Sequence, residues 1–102
     1  MKVEAKVYSA NYCNWCDKAV QFLENEGLKV WIVDITDNQD EREMLIERTG
    51  QKTVPQIWIG DAYIGGYDRM MKMANKKDLK PIILEQENKL LNTELQRLKR
   101  SI

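Results

Sequence analysis

The chain has no histidine, two cysteines, two prolines and one phenylalanine in 102 residues, and its 16 basic side chains are balanced by 16 acidic ones. Each scarcity excludes something. Without histidine and with only two thiols, one chain cannot assemble a four-ligand Cys/His zinc site. Zero net charge removes the broad basic footprint that holds nucleic acid, so no nucleic-acid partner is expected. The apolar run containing Trp31-Ile32-Val33 is far too short to cross a bilayer, and no membrane partner is expected. The opening Met1-Lys2-Val3-Glu4-Ala5-Lys6 lacks the apolar stretch of an export signal, which predicts a cytoplasmic, reducing location. A chain of this length forms one domain and buries only about two-thirds of its unfolded surface.

What is present is concentrated. Both cysteines lie in Cys13-Asn14-Trp15-Cys16, after an apolar strand-like run and at the opening of a helical one. At a helix start, Cys13 lies beside unpaired backbone N–H groups and the positive end of the helix dipole. Both favour thiolate over thiol, and the thiolate is the nucleophile. Cys16 lies one turn in, within disulfide reach. Cys13 is therefore read as the attacking sulfur and Cys16 as the resolving one. The four-residue loop they close removes little unfolded-state entropy, so such a bond forms and breaks without unfolding the domain. A zinc half-site and a static staple are the competing readings. Ligand count argues against the first and the missing export signal against the second.

The remaining pattern predicts β-α-β-α-β-β-α-α. Val3 to Ser9 alternates as a strand, with Val3, Ala5 and Val7 on one face and Glu4, Lys6 and Tyr8 on the other. Cys13 to Glu26 reads as a helix with Cys16, Val20 and Leu23 on one face, stopped by Gly27. Lys29 to Ile35 reads as a parallel strand buried on both faces. Asn38 and Glu41 form a capping pair for a helix that ends at Gly50. Gln56–Ile59 and Ala62–Ile64 are strands of a hairpin turning at Gly60-Asp61. A short helix follows from Tyr67, then a polar break, then a helix from Leu79 with Pro81 in its first turn. The order implies an α/β fold around a four-stranded mixed sheet flanked by helices.

With Thr53-Val54-Pro55 before the third strand and Gly65-Gly66-Tyr67-Asp68 after the fourth, the chain resembles the glutaredoxins, within the thioredoxin-like fold, from about Val3 to Leu84. The resemblance implies a dithiol, glutathione-dependent thiol–disulfide oxidoreductase that reduces protein disulfides and glutathione mixed disulfides. Ribonucleotide reductase is a typical client. It implies a cis bond before Pro55, which turns the backbone of Val54 toward the cysteinyl part of glutathione. Thr53 would flank the groove, and Gly65 and Gly66 would let the backbone come close. Tyr67 and Asp68 would hold the γ-glutamyl end, and Tyr12 and Trp15 would wall Cys13. Two positions depart from the family. Asn14-Trp15 stands where Pro-Tyr is common, and Ala10 stands where a cation usually meets the glycine carboxylate; Lys52 is the substitute, and Lys18 a helper of the thiolate. The missing proline raises an alternative, a [2Fe–2S] cluster bridged by two subunits, with Cys13 and glutathione as ligands. A thioredoxin-like carrier served by a reductase is the other.

The glutaredoxin likeness assigns residues 1–83 to the domain and 84–102 to an extended C-terminal helix. There Leu84, Asn88, Leu91, Leu95, Leu98 and Ile102 are spaced 4, 3, 4, 3, 4, a short heptad seam with Asn88 at an a position. The seam is under three heptads, and a homodimer through this helix, with Glu94 meeting Lys99 of a parallel partner, is one reading of it. A helix folded onto the domain or left frayed is the competing reading, and one that docks a client is the third.

Overall fold

The computed structural model describes residues 3–11 and 13–100, with backbone alone for the last two of these. The order is β1 (Glu4–Ser9), α1 (Asn14–Asn25), β2 (Lys29–Asp34), α2 (Gln39–Thr49), β3 (Gln56–Ile59), β4 (Ala62–Gly65), α3 (Tyr67–Asn75) and α4 (Leu79–Arg100). The strands form one mixed sheet in the order β2-β1-β3-β4. β1 is parallel to β2 and antiparallel to β3, and β3 is antiparallel to β4.

The alternation in β1 decides what faces the core. Val3, Ala5 and Val7 are buried with Ile57, Ile59 and Ile64 under Ala19 and Leu23 of α1, Met70 of α3, and Leu79 and Ile83 of α4. A fully buried side chain of this size contributes about 2 kcal/mol. On the opposite face a smaller cluster joins Tyr8, Ile35 and Leu45 of α2.

β2 differs from the sequence expectation. It is parallel, but it is the edge of the sheet, and Trp31 and Ile32 are 52% and 59% exposed. A run of Val, Ile and Trp satisfies strand propensity at an edge as well as at a centre, so composition did not determine its burial. In α1 the buried positions are Cys16, Ala19 and Leu23, while Val20 is partly exposed. Asn38 caps α2 by accepting from the N–H of Glu41 at 3.0 Å. The reciprocal half of the capping pair is missing, because the N–H of Asn38 donates to the carbonyl of Ile35.

Gly60 turns the β3–β4 hairpin at φ 57°. Its missing side chain admits α4: a Cβ there would lie 2.6 Å from Oε1 of Gln86. That oxygen accepts from the N–H of Asp61 at 2.9 Å and ties α4 to the hairpin. Helix α4 runs unbroken past position 84, with Leu79, Ile83 and Gln86 buried and Leu90 packed at the margin of the core. Leu84, Leu91, Leu95 and Leu98 lie on another stripe and are exposed. No helix is long and apolar enough to cross a membrane among the described residues.

Candidate active site

Cys13 is the N-cap of α1, and its sulfur accepts from the N–H of Cys16 at 3.1 Å. The two residues are joined as a disulfide with Cα atoms 5.3 Å apart. Burial separates their roles. Cys13 is partly exposed, whereas Cys16 is 0% exposed. After reduction, a substrate sulfur can reach Cys13, while Cys16 can attack only a bond already made to Cys13. The N–H of Cys16 and the helix start stabilise negative charge on the outer sulfur.

The loop before Cys13 is anchored from β2. The N–H of Asn11 donates to the Thr36 hydroxyl oxygen at 2.9 Å, and that hydroxyl donates to the Asp34 carboxylate. The Thr36 side-chain and backbone donors hold the Asp34 carboxyl below its ordinary value. The N–H of Cys13 donates to the carbonyl of Ala10 at 3.2 Å. The anchor from Asn11 to Thr36 has no local motif, since it joins residues 25 apart.

The Val54–Pro55 bond is cis, and the Val54 carbonyl oxygen lies 3.8 Å from the Cys13 sulfur. The loop carrying it is pinned by buried Gln56. Its amide donates to the carbonyls of Gln51 and Thr53 at 2.9 and 3.1 Å, and its oxygen faces the Thr49 hydroxyl at 3.1 Å. A groove of about 540 Å³ runs from Trp15 past Thr53, Val54 and Pro55 to Gly66, Tyr67 and Asp68. Its far end is the start of α3, where Gly66 is the N-cap and makes no side-chain cap. The first N–H groups of that helix, left without intrahelical partners, suit an anion. The rings of Trp15 and Tyr67 stand 5.2 Å apart.

The structure therefore brings Trp15, Thr53, Val54, Pro55, Gly66, Tyr67 and Asp68 together along one groove. Tyr12 lies outside the described residues. Lys52 is exposed and is not among the residues lining the groove. Lys18 sits over the Trp15 ring with Nζ 4.5 Å from its centroid, a contact that occupies the expected helper of the thiolate. Arg69, not foreseen, is the groove's cation, from the first turn of α3. The two glycines differ. Gly65 has φ 104°, which only glycine adopts readily, but a Cβ on Gly66 would meet Pro55 at an ordinary 3.7 Å. Among the described residues, no group of three or more metal-ligating side chains converges.

Comparison with known proteins agrees with this arrangement. The family model described as Glutaredoxin matches residues 5–64. A glutaredoxin of Vernicia fordii is 33% identical over 82 residues, which are 78% of this chain and 79% of that protein. Glutaredoxin 3 of Escherichia coli K12 is 32% identical over 78 residues, covering 76% of this chain and 94% of that one. The crystal structure of a buckwheat glutaredoxin–glutathione complex superposes with a TM-score of 0.74 at 27% identity, covering 83% and 80% of the two chains. The sheet order, the accessible cysteine backed by a buried one, and these matches converge: the chain belongs to the glutaredoxin family and is a disulfide oxidoreductase of the thioredoxin-like fold.

Proposed function

We propose that glutathione is the reductant and that protein disulfides and glutathione mixed disulfides are the substrates. The observation that carries this is the groove beside Cys13, with backbone at Val54 and helix N–H groups at Tyr67 and Asp68. A tripeptide bearing a thiol at its centre and a carboxylate at each end suits such a groove. The start of α3 would receive the γ-glutamyl carboxylate, with Arg69 of its first turn as the neighbouring cation, and Asp68 the ammonium group. The relative crystallised with glutathione has the same fold.

In the monothiol route, the Cys13 thiolate attacks the glutathione sulfur of a glutathionylated client. The client leaves as a thiolate and takes up a proton. A second glutathione thiolate then attacks the bond on Cys13, giving glutathione disulfide and free Cys13. In the dithiol route, Cys13 attacks a protein disulfide, and Cys16, losing its proton, attacks the sulfur of Cys13. The client leaves as a dithiol and the Cys13–Cys16 disulfide remains. Two glutathiones supply the two electrons that reopen it. Ribonucleotide reductase belongs to the class of disulfide-forming clients that this chemistry serves, and a reducing cytoplasm is the compartment it requires.

The test is reduction of a glutathione mixed disulfide with NADPH, glutathione and glutathione reductase, run beside thioredoxin reductase without glutathione. Turnover that requires glutathione supports the proposal. Turnover with thioredoxin reductase alone refutes the donor assignment. The cluster alternative draws on one accessible sulfur per chain, so two chains and two glutathiones would fill its four positions. Protein purified without oxygen and with glutathione is expected to be colourless, and a visible chromophore with bound iron and sulfide would support the cluster instead.

The partner proposed for α4 is a second copy of this chain. Its support is the exposed stripe of Leu84, Leu91, Leu95 and Leu98 at a and d spacing, separate from the stripe that packs on the domain. Asn88 falls at an a position, where one polar residue favours two parallel strands. Ile102 of the same seam lies outside the described residues. Sedimentation equilibrium is expected to show a concentration-dependent dimer that Leu91→Glu abolishes; a wild-type monomer at all concentrations refutes it.

A further inference from the structure

We infer that the groove continues past Tyr63 onto the open sheet face, where a second subsite selects client segments that carry an apolar residue beside acidic ones. The inference rests on the proposed reading of the groove and names the substrates that groove prefers.

A cavity of about 490 Å³ lies on the face of the sheet opposite the main core. Thr49 and Tyr63 line both this cavity and the groove, so the two adjoin along one edge. Its wall is aromatic. The rings of Tyr8 and Trp58 meet edge-on at 5.3 Å, and those of Trp58 and Tyr63 at 4.7 Å. Register places them side by side, since Trp58 of β3 is opposite Lys6 of β1 and Tyr63 of β4. Helix α2 covers one end of this face, with Leu45 packed against Tyr8 and Ile35. The rest is open.

Among the described residues, Lys6, Arg48 and Asp61 form no ion pair. Lys6 only approaches the Tyr8 ring, with Nζ 5.8 Å from its centroid. Two cations against one carboxylate favour an acidic visitor. Glutathione is accommodated by the groove alone. A client cysteine held at Cys13 brings chain on either side of it, at about 3.3 Å per extended residue. Chain leaving past Tyr63 meets the aromatic wall first and the two cations beside it. An apolar side chain packs on Trp58 and Tyr63, and neighbouring carboxylates meet Lys6 and Arg48. Exposed charge pairs are individually weak, so the subsite discriminates between clients more than it tightens binding.

The test compares two peptides, each closed by one intramolecular disulfide, that share the cystine and a nearby phenylalanine. One carries two glutamates beside the phenylalanine and the other two lysines. Each is assayed with the wild type, Lys6→Glu and Arg48→Glu, and the glutathione mixed disulfide of 2-mercaptoethanol serves as the small substrate. The wild type is expected to favour the acidic peptide by about fivefold in kcat/KM, and each reversal to reduce that preference by about threefold. The preference shrinks as salt rises. Turnover of the small substrate stays within twofold, which also shows that each variant folds. Equal use of both peptides by the wild type, or loss of small-substrate turnover in parallel with peptide turnover, overturns the subsite. Absence of glutathione-dependent turnover on the small substrate in the wild type would instead refute the function on which it rests.

Discussion

Replacing Gly60 by alanine tests how the hairpin and α4 are locked together. The residue sits at φ 57°, where a side chain costs about 1 kcal/mol. The new Cβ would also lie 2.6 Å from Oε1 of Gln86 and 2.9 Å from a methyl of Val3. The flexible amide must retreat, breaking its 2.9 Å bond with the N–H of Asp61. Gln86 is only 6% exposed, so its displaced oxygen loses a partner with little water to replace it, at about 1–3 kcal/mol. The sum is about 2–4 kcal/mol, which for a domain of this size lowers Tm by roughly 10–25 °C. Thermal melts followed by circular dichroism read this directly. Gln86→Ala should weaken the fold as well, and the double variant should lose about 1 kcal/mol less than the sum of the singles, because the clash and the bond share one side chain. A Tm within 3 °C of wild type for Gly60→Ala, or strict additivity in the double variant, would refute the reasoning.

Cys13→Ser should abolish every exchange activity, whereas Cys16→Ser should keep turnover of glutathione mixed disulfides and lose that of protein disulfides; an active Cys13→Ser protein in the glutathione-coupled assay would reverse the roles assigned. Arg69→Ala should raise the KM for glutathione up to about fivefold with little change in kcat, as expected for one exposed charge pair, and an unchanged KM would remove Arg69 from the groove's function. The Asp34 carboxyl titrates below its ordinary 3.8 in the folded chain. A depressed folded value means that its stabilisation is present above 3.8 and is lost as pH falls through the folded value. Urea unfolding below that pH should therefore show a shallower acid dependence in Asp34→Asn than in wild type; identical profiles would show that the Thr36 contact contributes nothing.

Features carried by local chemistry were legible in the sequence. Asn38 ahead of α2, Gly50 behind it, Gly60-Asp61 between two apolar runs and the alternation from Val3 each name their own conformation. The cysteine pair and its two companion motifs named the fold and the chemistry together. What escaped is nonlocal. Strand order placed Trp31 and Ile32 at an edge, and no residue within that run records its neighbours. Ala19, not read as inward, is fully buried in α1, while Val20 packs only partly against the same core. Lys52 is not among the residues lining the groove, because the loop from Gln51 to Pro55 is held by Gln56 from beneath, while α3 brings Arg69 to it. The bond from Asn11 to Thr36 joins two loops 25 residues apart and has no sequence signature.

The edge position of β2 affects how the protein behaves in concentrated solution. Val30 to Val33 is an uncharged, β-prone run on a strand with one unpaired flank, the kind of segment that templates pairing with another chain. Lys29 and Asp34 bracket it as charged gatekeepers, and Lys29 also lies over the Trp31 ring at 4.5 Å. The side chain of Trp31 donates to Glu4, which holds the largest apolar group of the strand down against β1. Neutralising Lys29 and Glu4 would leave the redox centre untouched while opening a route to fibrous self-association.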